Sequence, residues 1–484
     1  MLRRMSLLKA RLLVFFTAAA VLVLEILAQR LLAPYLGVSL EVFTGVIGVI
    51  LAGISVGAWA GGRAADRTEP GRLIGPLLVG GGVTALASPL IIDLIGPAAT
   101  GTGPVSIVVI TTLGFFAPAA ILSAVAPVVV KMRLASLDDT GSVVGSYSAV
   151  GTAGAIFGTF VTGFVLIAAF PTRPIVAVVG AALVAAGAAL WRGGVETMNA
   201  AAVAILFVVG LFVFRGPCQY ETTYHCAQIV VDPVRASGRT LLLDGVSNSY
   251  VDLADPTHLE FRYAKVMGDV IAHTMPEGAL EVISIGGGGF TFNAYLAATR
   301  PGTDHVTLEI DRLLVDIGRH HLGLDPGATV VIDDARRSLE DLPDDWADLV
   351  IGDAFSGLSV PWHLTTVEFL ERVAAKLAPE GVYTLNVIDY GDLDFVRSET
   401  ATLEHVFSHV AVLAPPDYLA GRAGGNFVLV ASDTPFDPAA IVESIATRGG
   451  REAAAADTGL PAFVGDARPL VDDFAPVDQM IDPP

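Results

Sequence analysis

Apolar positions run in long unbroken stretches up to about Arg215 and then give way to short apolar bursts alternating with polar ones. The long stretches occupy residues 11–33, 39–61, 72–96, 104–130, 143–169, 174–191 and 198–214. Most reach the ~20 residues needed to cross a hydrocarbon core of ~30 Å, the last two being the shortest. Glycine and alanine fill them, as in Gly80-Gly81-Gly82, Gly151, Gly154 and Gly158. Small residues let helices approach closely inside a membrane, so the pattern predicts a bundle of about seven helices over 1–217. The first stretch follows Arg3, Arg4, Lys9 and Arg11 as a signal peptide would, but it is too long and lacks a small-residue cleavage site before Pro34, so it reads as an uncleaved span.

Beyond residue 217 the period changes. Runs at 280–285, 305–309, 329–332, 348–353 and 381–386 read as strands, and the amphipathic stretches 290–298, 312–322 and 364–376 read as helices. Strands separated by helices predict a doubly wound, parallel, Rossmann-like sheet over 257–450, whose ligand crevice lies at the carboxyl ends of the strands. Residues 218–256 are expected to form a small β-region, and the Ala-, Asp- and Pro-rich tail 451–484 to be mobile in part.

Charge sharpens this division. Residues 1–217 hold 13 Lys and Arg against 8 Asp and Glu, leaving 16 against 41 for the remainder, so the halves carry +5 and −25. An acidic second half disfavours nucleic acid and either attracts cations or serves plain solubility. Basic residues gather at Arg3/Arg4/Lys9/Arg11, Arg63/Arg67/Arg72, Lys131/Arg133 and Arg192, alternating with the loops near Gly37, Gly101 and Thr172. That asymmetry places the amino terminus in the cytoplasm of a multi-pass cell-membrane protein. With seven spans the second half emerges outside; losing or adding one span reverses this.

Cys218 and Cys226, the only cysteines, stand directly after the last apolar stretch. Either they close a small disulfide loop, which would persist on the oxidising face, or they are ordinary thiols. Glu25 lies inside the first span with Gln29 one turn on. An ionisable group at that depth is a candidate proton, cation or substrate site, unless it pairs with Arg30 or serves packing. The stretch Gly57-Ala58-Trp59-Ala60-Gly61-Gly62-Arg63-Ala64-Ala65-Asp66-Arg67 resembles the loop after the second helix of major facilitator transporters.

The candidate chemistry of the second half falls at strand ends. Gly286-Gly287-Gly288-Gly289 follows the first strand, Glu309 ends the second, Asp333 and Asp334 the third, and Asp353 the fourth. Glycines let backbone approach a ligand, and an acid 23 residues after Gly286 stands at the distance suited to ribose hydroxyls. The series describes a nucleoside pocket of the S-adenosylmethionine type. His320 and His321 have no acidic or cysteine partners at ligand spacing, so no metal is expected. His225 and His363 read as ordinary polar residues.

From Gln219 to Ser432 the chain resembles the spermidine synthases. Glu221-Thr222-Thr223-Tyr224, Leu242-Leu243-Asp244-Gly245, Tyr263, Ile285-Gly286-Gly287-Gly288, Leu308-Glu309-Ile310-Asp311, Asp334-Ala335-Arg336 and Asp353 stand in that family's order. The whole chain resembles the membrane-fused spermidine synthase-like proteins of bacteria. The resemblance implies that Gly286, Gly287, Gly288, Glu309 and Asp334 hold decarboxylated S-adenosylmethionine, or S-adenosylmethionine itself. By the same resemblance Tyr224, Asp244, Tyr263 and Asp353 line the polyamine and aminopropyl side; the family's usual base is the second aspartate, here Ser356, which leaves Asp353 as the candidate catalytic acid–base residue. Taken alone, Asp244 reads as a turn residue of an Asp-Gly hairpin.

The chain also departs from that pattern. Gly289 replaces an aspartate, Ser356 stands where the second aspartate of Asp-Ser-Ser-Asp-Pro is usual, Asn248 replaces a glutamine, and Lys265 stands near an expected glutamate. The nucleoside half of the pocket is kept and the polyamine half altered. Three functions follow as expectations: aminopropyl transfer to a polyamine, transport or sensing of a polyamine-like cation by a catalytically altered protein, or methyl transfer from S-adenosylmethionine. The expected partners are the lipid bilayer, a cationic small molecule and further copies of the chain.

Overall fold

The computed structural model describes residues 6–37, 39–98, 104–134, 140–191, 218–456 and 459–481. They form two compact units, Met1–Cys226 and Ala227–Pro484.

In the first unit six of the described helices are long and apolar enough to cross a membrane: α1 Leu7–Leu36, α2 Leu40–Arg67, α3 Pro70–Ile95, α4 Pro104–Arg133, α5 Thr140–Leu166 and α6 Thr172–Leu190. The expected segment 198–214 lies outside the described residues. Ser6 and Ser39 begin α1 and α2 by accepting the free amides of Lys9 and Val42, the role that a short hydroxyl side chain fills at a helix start. Helix α1 packs on α5, α2 on α4 and α3 on α6. Glycine makes these contacts: a Cβ on Gly61 would stand 2.5 Å from the Ala124 carbonyl oxygen, and one on Gly158 2.5 Å from that of Ala19. Single π-helical turns interrupt α4 at Thr112–Phe116 and α5 at Thr162–Leu166.

Polar links tie the helix ends together. Where α2 and α4 finish, Lys131 pairs with Asp66 at 2.7 Å. At the other end of the bundle, Arg173 of α6 bonds both carboxylate oxygens of Asp93 on α3, and the Tyr35 hydroxyl donates to the same carboxylate. At that end Arg30 donates to the carbonyls of Thr222 and Thr223 and pairs with Glu221 at 3.6 Å, while Glu221 accepts the Thr172 amide at 2.8 Å. Glu221 belongs to the short strand β1, Tyr220–Glu221, inside a loop closed by the Cys218–Cys226 disulfide. Glu25 is half-buried on α1.

The second unit opens with antiparallel strands β2 Cys226–Val231, β3 Gly238–Leu243 and β4 Val246–Asp252, followed by α7 Arg262–Thr274. An eight-stranded sheet follows. Its parallel part comprises β5 Glu281–Ile285, β6 Asp304–Leu308, β7 Thr329–Val331, β8 Ala347–Gly352 and β9 Leu377–Asp389. Helices α8 Thr291–Thr299, α9 Arg312–His321, α10 Ala335–Ser338 and α11 Val367–Lys376 connect these strands. Then come α12 Asp394–Val406, β10 His409–Ala414, β11 Gly425–Ser432, α13 Pro438–Thr447 and β12 Ala453–Ala456. The order across the sheet is β12-β10-β11-β9-β8-β5-β6-β7.

The expected Rossmann-like sheet is present, and its end at β9 extends into three antiparallel strands. Ile283, Leu308, Phe369, Leu370 and Phe427 pack on one face, with Met267, Val270, Val282, Leu296 and Leu349 on the other. Burial on both faces explains why these strands read as apolar runs rather than alternations. The tail supplies β12, and Leu460, Phe463, Leu470 and Val477 enter the core. Its few apolar anchors are diluted by Ala, Asp and Pro, which is why composition alone suggests mobility.

Candidate active site

The site is built where β5, β6 and β8 end. After Ile285 the chain must turn sharply between two neighbouring strand ends. Gly286, at φ +91°, donates its amide to the Leu308 carbonyl at 2.9 Å, while Asp353 donates its own to the Ile285 carbonyl at 2.9 Å. A Cβ on Gly286 would stand 2.7 Å from the Asp353 carbonyl oxygen, so both the conformation and the space demand glycine.

Glu309, at the end of β6, holds this turn from behind. Its carboxylate accepts the Gly287 amide at 2.8 Å and the Gly288 amide at 3.3 Å through one oxygen, and the Asp311 amide at 2.8 Å through the other. Burial raises its pKa against the lowering effect of those amides. From β4, Ser249 accepts the Gly289 amide at 2.9 Å, which ties the small sheet to the glycine turn.

Asp334 begins α10, accepting the Arg337 amide at 3.2 Å, and its other oxygen lies 2.8 Å from His363 Nε2. His363 is therefore not an isolated polar residue: folding brings it to an acid 29 positions earlier in the chain. Arg336 holds the His363 carbonyl at 3.1 Å and grips both oxygens of Asp472 in the tail.

Asp353 ends β8 and is the best-defined acid of the group. Tyr263 of α7 donates its hydroxyl to one oxygen at 3.0 Å, and Asn386 of β9 donates its amide to the other at 3.0 Å. Asn426 of β11 donates in turn to the Asn386 amide oxygen at 2.9 Å. Burial pushes the Asp353 carboxyl up to about 6, against the pull of the two donors. Burial and the neighbouring Asp353 raise Tyr263 well above its ordinary value, so it stays a neutral donor.

A cleft lined by Ser249, Gly286, Gly287, Thr291, Asn293 and Asp353 brings the turn and the acid together. A half-buried acid that ionises near neutrality can accept a proton from a nucleophile bound beside it.

Asp244 lies buried at the tip of the β3–β4 hairpin, where it and Gly245 have φ of +52° and +82°, the left-handed pair of a tight turn. Tyr224 belongs to the first unit and is half-exposed there. Asn386 and Asn426 carry no sequence motif; their signal is an amide inside a strand that is otherwise apolar. Among the described residues no group of three or more His, Cys, Asp or Glu is placed to hold a metal ion.

No family model matches the chain, and no curated protein does. Solved structures do match. A probable spermidine synthase from Corynebacterium glutamicum aligns at 29% identity and a TM-score of 0.50, over 56% of this chain and 100% of that one. A spermidine synthase in complex with the transition-state analogue AdoDATO aligns at 21% identity and a TM-score of 0.35, over 44% of this chain and 73% of that one. Human methyltransferase-like protein 13 in complex with SAH aligns at 18% identity and a TM-score of 0.32, over 44% and 96%. The C-terminal part of the chain thus has the fold of a spermidine synthase.

Proposed function

We propose that the C-terminal domain is an aminopropyltransferase that moves the aminopropyl group of decarboxylated S-adenosylmethionine to an amine, in a protein anchored in a lipid bilayer by its apolar helices. The observation that carries this reading is Asp353, half-buried, raised to about 6 and facing the same cleft as Gly286 and Gly287. The likeness to the C. glutamicum protein, which spans its whole length, supports it.

The sulfonium supplies a carbon with a good leaving group. The acceptor nitrogen attacks that carbon, the C–S bond breaks, and its electron pair stays on sulfur as a neutral thioether. The new C–N bond leaves a positive nitrogen, whose proton passes to Asp353. Tyr263 and Asn386 keep the carboxylate oriented without supplying a competing base. Glu309 shapes the glycine turn and presents its remaining lone pairs to ribose, and Asp334 lies at the adenine side, steadied by His363. Much of the acceleration comes from holding nitrogen and carbon in line.

Calorimetry on the full chain in detergent tests the reading. Decarboxylated S-adenosylmethionine should bind, with affinity lost in Glu309→Ala and Asp334→Ala. Aminopropyl transfer to putrescine or spermidine should fall by about 100-fold or more in Asp353→Asn while binding persists. Absence of nucleoside binding by a folded protein would end the transferase reading. Binding and turnover of unmodified S-adenosylmethionine instead would make it a methyltransferase.

A further inference from the structure

We infer that the amide pair Asn386–Asn426 is a positioning device for Asp353, in which Asn426 fixes the orientation of the Asn386 amide so that its NH2 group, and not its oxygen, faces the carboxylate. The inference rests on the transferase reading only for what Asp353 is used for; the geometry stands apart from it.

A side-chain amide has two nearly isosteric orientations, and its surroundings decide between them. Here they decide unambiguously. Asn386 Nδ2 lies 3.0 Å from Asp353 Oδ1, and Asn386 Oδ1 accepts Asn426 Nδ2 at 2.9 Å. Turning the Asn386 amide over would set oxygen against carboxylate on one side and, with Asn426 as it stands, NH2 against NH2 on the other, losing two hydrogen bonds and creating two repulsions. Asn386 is buried and Asn426 half-buried, so water cannot readily replace either bond.

The pair is built into the sheet. In the β9–β11 register Asn386 stands opposite Val428 and Asn426 opposite Ile388, which leaves the two amides diagonal to each other, within reach across the strands. Asn386 is thus reached from β8 on one side and β11 on the other. The remaining groups near Asp353 do not duplicate the effect. Tyr263, the titratable group bonded to it from α7, holds the other oxygen. Ser249, Thr291 and Asn293 in the cleft are neutral, and Glu309 is bonded to the backbone of the glycine turn.

A donor aimed at a carboxylate favours its ionised form, so the pair holds Asp353 ready to receive a proton near neutrality rather than above it. Asn426 is bonded to Asn386 and Asn386 to Asp353, so the effect of Asn426 on the carboxyl passes through Asn386.

The test is the acid limb of the kcat/KM profile in the full chain, together with pH-difference infrared spectra in which the Asp353 carboxyl band is identified by its loss in Asp353→Asn. Asn386→Leu should move the midpoint upward by about one unit or more, and Asn426→Leu by less. Asn426→Asp, nearly isosteric, should move it further than Asn426→Leu, because a carboxylate there draws the Asn386 NH2 to itself, turns its oxygen toward Asp353 and adds a negative charge. Nucleoside affinity should be unchanged in all three variants. A midpoint that stays at its original value in both Asn426 variants overturns the inference. If the unaltered protein shows no turnover, the transferase reading fails by itself, and the infrared midpoints still decide whether the pair sets the state of Asp353.

Discussion

At the scale of single residues, Asp353 carries a stability cost that follows from its desolvation. Its carboxyl is raised to about 6 in the folded protein, above the ordinary value of 3.8, because burial penalises the charged form. The proton is therefore held more tightly folded than unfolded, and the penalty is absent below about 4, grows as pH rises to about 6 and is complete above it. In Asp353→Asn that penalty is removed. Thermal unfolding of the two proteins should show the variant gaining on the wild type between pH 4 and 6 and holding a constant lead above, worth at most about 3 kcal/mol. A lead that does not change with pH would mean that Asp353 is solvated in the folded state. Such an acid was visible in the sequence as the end of an apolar run. Its partners were not, because Asn386 and Asn426 lie 33 and 73 residues further on and meet it only through strand pairing.

At the scale of elements, the apolar helices of the first unit are held by contact too close for side chains. Helix α2 offers an internal control, since Gly61 lies against the Ala124 backbone whereas a Cβ on Gly48 would meet nothing within 4 Å. Gly61→Leu should lower the stability of the detergent-solubilised protein by about 1–3 kcal/mol, while Gly48→Leu should leave it unchanged; equal effects would show that the α2–α4 contact is not held by glycine. The spacing of small residues made this packing legible. In the soluble half the strands and helices of the Rossmann-like core were legible for the same reason, as runs of one period bounded by turns. The antiparallel strands β10, β11 and β12 were not. A strand buried on both faces carries the same apolar signal whichever way it runs, and only the length and course of the connection set its direction.

At the scale of the whole molecule, bonds inside the first unit fix the end of the helix bundle at which the disulfide loop lies. Tyr35, Asp93, Arg173 and Thr172 mark the end of the bundle where α1 and α3 finish and α6 begins. The residues Glu221, Thr222 and Thr223 of the disulfide loop are bonded to that same end through Arg30 and Thr172. Helix α6, 19 residues and so about 28 Å long, leads away from that end, to which the disulfide loop is bonded. The loop therefore lies on the face opposite the start of α1. Lys9, Arg11, Arg63, Arg67, Lys131 and Arg133 cluster at the starting face, the asymmetry by which positive charge predicts a cytoplasmic side. By that rule the disulfide loop is expected on the external face, where a disulfide persists. In a bacterial inner membrane, alkaline phosphatase fused after residue 484 should be active, and Cys218 and Cys226 should resist a thiol reagent until reduced. A silent phosphatase together with freely reactive thiols would place the domain in the cytosol and require the chain to cross an even number of times.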